Sequence, residues 1–328
     1  VTAASLIGLA LTDDSLGETG ADIAVLVSIA RDADRLGFDF LSLDDPFARA
    51  ADGAPHANAG EALAFLARKT DQIALVPGIA THYAEPFHAA KQIATLDFLS
   101  GGRAGVALDS AATALGDRLY PAAHTLGVAE RAEQASEFTR VLRELWDSWE
   151  DGATVRDRES GQYVDSARVH SIDHDGTYFR VRGPLITPRP PQGQPPVFVR
   201  VRDVHSLTAA LAGEATDTRA DVLLVEPELV EDAVNAVAAL AVGIAAVAAA
   251  PTRIVVSIEL AAADVVSGAR AALLAWRNHP GVDGVELRAS GAVAAELLAS
   301  WEAEPAADAP TLSERLGIAH RPSRYASA

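Results

Sequence analysis

The chain has 328 residues and carries 45 Asp and Glu against 27 Lys and Arg, a formal net charge of -18. That balance argues against a polyanionic partner such as nucleic acid, because neutralising phosphates takes a basic face. Cysteine is absent, which excludes disulfides, thiolate metal sites and cysteine nucleophiles, while 49% hydrophobic residues provide for a large core and exclude wholesale disorder.

Short apolar runs rich in β-branched residues alternate with longer helical patterns, the signature of βα units around a parallel sheet. In chain order, strand Ser5–Leu11 precedes helix Asp22–Leu36, and Phe38–Leu43 precedes Glu61–Ala67. Ile73–Ala80 leads to Pro86–Leu99, where Pro86 suits a first helical turn and Gly101-Gly102 the stop. Ala104–Leu108 is followed by Glu130–Trp149, Val197–Val201 by Ser206–Ala212, and Asp221–Val225 by Val230–Val247. Ile254–Leu260 with Val265–Arg277, and Gly284–Leu287 with Ala292–Trp301, complete eight repeats. Eight repeats fit an α/β fold of the (β/α)8 TIM-barrel type, one domain over residues 1–328. An open doubly wound sheet would show a glycine-rich phosphate loop after an early strand. The first strand instead leads into "TDDSLGETGAD".

One interval breaks the rhythm. Residues 151–196 are polar and rich in Gly and Pro, with only short strand-like pieces. An insertion of that length before the fifth strand reads either as a lid over the C-terminal mouth, where barrel chemistry takes place, or as a solvated excursion. The most apolar run, Ala233 to Ala250, is mostly alanine and includes Asn235, which suits a helix covering a sheet rather than a membrane span. No basic region precedes the apolar "ASLIGLALT", so no signal peptide is read and the expectation is a cytoplasmic protein.

No H-E-x-x-H, Walker loop or G-x-S-x-G is present. His170 and His174 have i,i+4 spacing, but the residues between them read as extended, which makes both surface histidines rather than a metal pair. Polar residues gather at the C-terminal ends of the expected strands: Asp44, Asp45, Thr81, His82, Asp109, Ser110, Arg200, Arg202, Glu226, Glu286 and Arg288. Barrel rims need polar groups in any case; as a set, these describe a polar mouth suited to a small molecule.

Two long motifs carry a resemblance. "LWDSWEDGATVRD" followed by "VHSIDHDGTYFRVRGPLITPRPPQGQPPV", together with "GFDFLSLDDP", "THYAEPFHAAKQIATLDFLSGGRAG" and "TLSERLGIAHRPSRYA", resembles the bacterial-luciferase-like flavin monooxygenases. The similarity is greatest to the branch of the nitrilotriacetate, dibenzothiophene-sulfone and long-chain alkane monooxygenases. It implies a (β/α)8 barrel in which reduced FMN, supplied by a separate flavin reductase, captures O2 and oxygenates a small organic substrate. It also implies a tendency to associate into homo- or hetero-oligomers.

The resemblance places a flavin site on Asp45, Thr81, His82, Ser110, Arg131, Arg200 and Arg202, with departures. Thr81 and His82 stand where relatives have paired hydroxyl residues. Arg131 matches the arginine of an Arg-Tyr pair whose tyrosine is here Ala132. An asparagine of the fourth strand is lost in Gly105-Val106-Ala107. After the fifth strand, relatives carry Q-A-G-x-S-x-x-G, and this chain reads Arg200-Val201-Arg202-Asp203-Val204-His205-Ser206-Leu207. Two readings follow. Either Arg200 and Arg202, which alternate to one strand face, rebuild the phosphate grip with charge, or they fill the space and pair with Asp45, Asp109 or Glu286. The first leads to a two-component flavin monooxygenase, the second to a non-catalytic barrel paralogue that pairs with an active relative.

Overall fold

The computed structural model describes residues 5–12, 23–44, 58–120, 126–212, 218–243, 252–260, 265–303 and 309–326. Eight parallel strands close into a barrel: β1 (Leu6–Leu11), β2 (Phe40–Leu43), β3 (Ala74–Ala80), β4 (Val106–Asp109), β7 (Val197–Val201), β8 (Val222–Val225), β9 (Arg253–Glu259) and β10 (Gly284–Ala289), with β10 paired to β1. A two-stranded hairpin, β5 (His174–Asp175) with β6 (Arg180–Val181), stands apart. Each barrel strand falls on an apolar run expected from the sequence. The runs are continuous rather than alternating because both strand faces are buried, one in the barrel and one under helices.

The helices are α1 (Ile23–Arg35), α2 (Ala59–Leu66), α3 (Pro86–Ser100), α4 (Ala114–Leu119), α5 (Val128–Asp147), α6 (Val204–Leu211), α7 (Val230–Gly243), α8 (Val265–Trp276), α9 (Gly291–Ala299) and α10 (Leu312–Arg315). The short α4, capped by Thr113, and the terminal α10 were not foreseen. α5 buries Phe138, Val141, Leu142, Leu145 and Trp146 against the barrel, and Trp149 packs on the same cluster. None of the helices among the described residues is long and apolar enough to cross a membrane.

Strand parity decides what fills the barrel. Positions two apart point the same way, and Leu6, Phe40, Val76, Ala107, Phe198, Val222, Leu224 and Val255 form one apolar cluster, with Leu312 and Leu316 of the terminal segment. Phe40 and Phe198 meet at 5.4 Å between ring centroids. The room for Phe40 comes from its register partner Gly8, where a Cβ would lie 2.1 Å from the ring. Above this apolar layer the same inward positions become polar: Ser42, Asp109, Arg200, Ser257, Glu286 and Arg288.

The insertion lies between α5 and β7, as expected, but it does not cover the mouth. Gln192 donates to Asp97 at the end of α3 (2.7 and 3.0 Å) and to the Ala104 carbonyl before β4 (2.7 Å). Arg189 pairs with Asp147 at the end of α5 at 2.5 Å. All of these partners sit where helices end and strands begin, so the segment crosses the N-terminal face of the barrel. Connectivity is the reason: helices return antiparallel to the strands, and a helix-to-strand connection starts at the end opposite the mouth. The hairpin then climbs the outside of α5, with Phe179 edge-on to Phe138 and three backbone amides, from Thr177 to Phe179, donating to Glu137. His174 is correspondingly not a surface residue. Its side chain is 6% exposed, with Glu144 and Glu137 at 2.9 and 3.2 Å from its two ring nitrogens.

Candidate functional site at the barrel mouth

Closure of the barrel brings the polar ends of six strands together. Glu286, wholly buried in β10, accepts hydrogen bonds from Ser42 (2.9 Å), Ser257 and Arg200 (3.0 Å). Arg200 spans to Asp44 at 3.3 Å, and Asp44 also receives Arg288 at 2.5 Å. Arg288 reaches Glu259 at 3.2 Å and lies 3.8 Å from Glu286. On the β4 side, Arg202 grips Asp109 at 2.7–3.2 Å and contacts Glu226 at 3.4 Å.

The electrostatics are those of a desolvated ion-pair lattice. Burial alone would raise the Glu286 carboxyl; Arg200 and Arg288, with the Ser257 hydroxyl, outweigh it and hold the group below its ordinary value. Burial likewise disfavours charge on Arg288 and Arg202. Asp44 and Glu286 for the first, and Asp109 for the second, overcome it and raise both guanidinium values. Beside the lattice opens a cavity of about 350 Å3 lined by Arg200, Arg202, Glu226, Ser257, Glu259 and Arg288. That is at the small end of cavities that hold small organic ligands, which start at ~300 Å3. A larger groove of about 540 Å3, between α2 and the start of α3, shares no residue with the lattice.

Of the residues expected to form a flavin site, Thr81, Ser110, Arg131 and Arg202 meet at the end of β4, where their contacts run through Asp109 and the Ser110 carbonyl, and Arg200 lies in the lattice. Asp45 lies outside the described residues; its neighbour Asp44 has the inward parity of Phe40 and Ser42 and carries the pairing. Thr81 donates to the Asp109 carbonyl at 3.2 Å, and His82 Nδ1 faces Gln134 at 3.0 Å. Arg131 donates to the carbonyls of Ser110 (3.2 Å) and Leu126 (2.8 Å), leaving Ser110 as part of its support. Ser42, Ser257 and Glu259 were missed. Their signal was available, since each shares the inward parity of its strand. No group of three or more metal-ligating side chains occurs among the described residues.

The place implied for an FMN phosphate, at the start of α6, does not fit that group. The Asp203 carboxylate already accepts from the Ser206 amide at 2.8 Å, so the first-turn donors face an anion of the chain's own. The gap between α5 and α6, lined by Ser110, Ala132, Ser136, Thr139 and Ser206, measures about 10 Å3, room for one water at most, which takes ~10–15 Å3.

Comparison with known proteins agrees with the architecture. The model of the luciferase-like monooxygenase family matches residues 7–319. The chain is 36% identical over 194 residues to the N-acetyl-S-(2-succino)cysteine monooxygenase of Bacillus subtilis (strain 168), covering 56% of this chain and 43% of that protein. It is 35% identical over 222 residues to nitrilotriacetate monooxygenase component A of Aminobacter aminovorans, covering 61% and 49%. The chain therefore spans about half the length of these curated relatives. Among solved structures, the EDTA monooxygenase of Chelativorans sp. BNC1 superposes with a TM-score of 0.72 at 18% identity, covering 97% of this chain and 99% of that one. The barrel order, its polar mouth and a match over residues 7–319 lead to one conclusion: the chain belongs to the luciferase-like monooxygenase family.

Proposed function

We propose that this chain is the oxygenase component of a two-component monooxygenase, which takes reduced flavin from a separate reductase and oxygenates a small organic substrate at the barrel mouth. Membership of the family over residues 7–319 carries this reading. It is supported by relatives named as monooxygenases, one of them as a component A. Reduced flavin supplies the electrons with which O2 is activated. The chain's own part is positional. The lattice of Arg200, Arg288, Asp44 and Glu286 gives the mouth a rigid polar floor whose charges are already satisfied, so it can face an organic ligand without reorganising. The cavity of about 350 Å3 beside it is open to a small organic ligand.

The test is an anaerobic titration of the full chain with FMN and riboflavin, oxidised and reduced, followed by absorbance and flavin fluorescence. Binding of the reduced form, followed by O2-dependent turnover with a flavin reductase, is the expected outcome. Absence of any flavin binding at millimolar concentration would overturn the reading in favour of a non-catalytic barrel that partners an active relative.

A further inference from the structure

We infer that this chain excludes the phosphate of FMN and takes an unphosphorylated flavin, of the riboflavin class, by its ring alone. The inference rests on the flavin reading above and deepens it.

Three features of the α6 start carry the exclusion. The first is an internal anion. Asp203 caps α6, its carboxylate accepting from the Ser206 amide (2.8 Å) and hydroxyl (3.0 Å), while Ser206 Oγ receives the amides of Arg202 and Asp203 at 3.0 and 3.1 Å. A helix N-terminus attracts phosphate through unsatisfied N–H groups; here the Ser206 amide already holds the Asp203 carboxylate, and a second anion at the same turn would meet that charge. The second is the commitment of the nearby cations. Arg202 is held by Asp109, whose side chain is 11% exposed, and drawing Arg202 to a phosphate would leave that carboxylate buried without its partner. Arg131 is turned to two backbone carbonyls. The third is space: the gap of about 10 Å3 between α5 and α6 cannot take a phosphate.

The wider field has the same sign. Among the described residues of the lattice, Arg200, Arg202 and Arg288 face Asp44, Asp109, Glu226, Glu259 and Glu286, three cations against five anions. A dianion approaching the mouth is therefore repelled, whereas an uncharged ribityl chain is not. The ring has the cavity of about 350 Å3 open to it on the β7–β10 side.

The experiment compares riboflavin and FMN on the full chain and on Asp203→Asn, with a second arm in which inorganic phosphate is the probe. Asparagine caps a helix as well as aspartate, so the variant keeps α6 while removing the charge. The wild type is expected to bind riboflavin at least as tightly as FMN, with FMN gaining on riboflavin as salt screens the repulsion. Asp203→Asn is expected to shift the preference toward FMN by about tenfold, the scale of one charge-assisted contact. Inorganic phosphate should leave the wild-type melting temperature where chloride of equal ionic strength leaves it. FMN binding tenfold or more tighter than riboflavin, or melt protection by phosphate that is lost in Arg202→Ala, would overturn the inference. An unchanged flavin preference in Asp203→Asn would overturn the role given to Asp203. If no flavin binds and phosphate gives no protection, the flavin reading falls while the exclusion of phosphate stands.

Discussion

Replacing Arg200 by Met tests whether the mouth is held together by charge. The substitution keeps a chain of similar length inside the barrel and removes the guanidinium that joins β7 to both β10 and β2. Glu286, wholly buried, then keeps the hydroxyls of Ser42 and Ser257 and, among the described residues, has Arg288 as its cation at 3.8 Å; Asp44 loses one of its two arginines and keeps Arg288. Breaking a buried pair by removing one partner leaves an uncompensated charge and destabilises by about 3–5 kcal/mol. The double variant Arg200→Met/Glu286→Gln removes both charges, so most of that loss should return, within about 1–2 kcal/mol of wild type. Urea denaturation of the wild type, both single variants and the double gives the coupling energy directly. The sign with pH is a further check. The depressed Glu286 carboxyl contributes stability above its ordinary 4.5 that is lost as pH falls through the lower folded value. In Arg200→Met the depression is relieved, so the deficit should be largest near neutral pH and shrink toward about pH 4 as Glu286 takes a proton. A single variant within about 1 kcal/mol of wild type at neutral pH, or a double no more stable than the single, would refute the lattice as the support of the mouth.

Gly8→Ala should destabilise by about 1–3 kcal/mol by overpacking the Phe40 ring, and Phe40→Leu should restore part of the loss in a thermal melt. Leu142→Asp buries a carboxylate on the fully covered face of α5 and should cost ~3 kcal/mol or more in urea denaturation. Burial pushes the Asp97 carboxyl up to about 6 from 3.8, with the amide and side chain of Gln192 offsetting part of it. The resulting contribution is fully present below about pH 4 and is lost as pH rises through about 6, some 3 kcal/mol for a shift of about two units. Asp97→Asn should therefore flatten the stability profile between about pH 4 and 7, and an unchanged slope would count against it.

What could be read from the sequence follows from the range over which each feature is determined. The eight strands were legible because alternation of apolar runs with helical patterns is local, and the helix stop at Gly101 is local too, its φ of 69° suiting glycine. The buried face of α5 is legible for the same reason, since Phe138, Val141, Leu142 and Leu145 recur at the three- and four-residue spacing of one helix face. The position of the insertion was open to deduction and was missed: residues 151–196 join a helix end to a strand start, and in this fold that connection belongs to the N-terminal face, whatever its composition suggests. The lattice could not be read pair by pair. Asp44 and Arg288 are 244 positions apart, and only the closing of β10 onto β1 sets them across the same opening. Strand parity goes part of the way. Ser42 and Asp44, Ser257 and Glu259, and Glu286 and Arg288 each lie two apart on strands whose lower inward positions are apolar, which marks them as one polar layer before any pairing is known. Within such a layer the choice between the two readings of Arg200 and Arg202 turns on supply of anions, since a buried guanidinium takes whichever oxyanion is fixed nearest to it. Asp44, Asp109 and Glu286 are fixed by the strands themselves and pair with the two arginines, and the Asp203 carboxylate caps the start of α6.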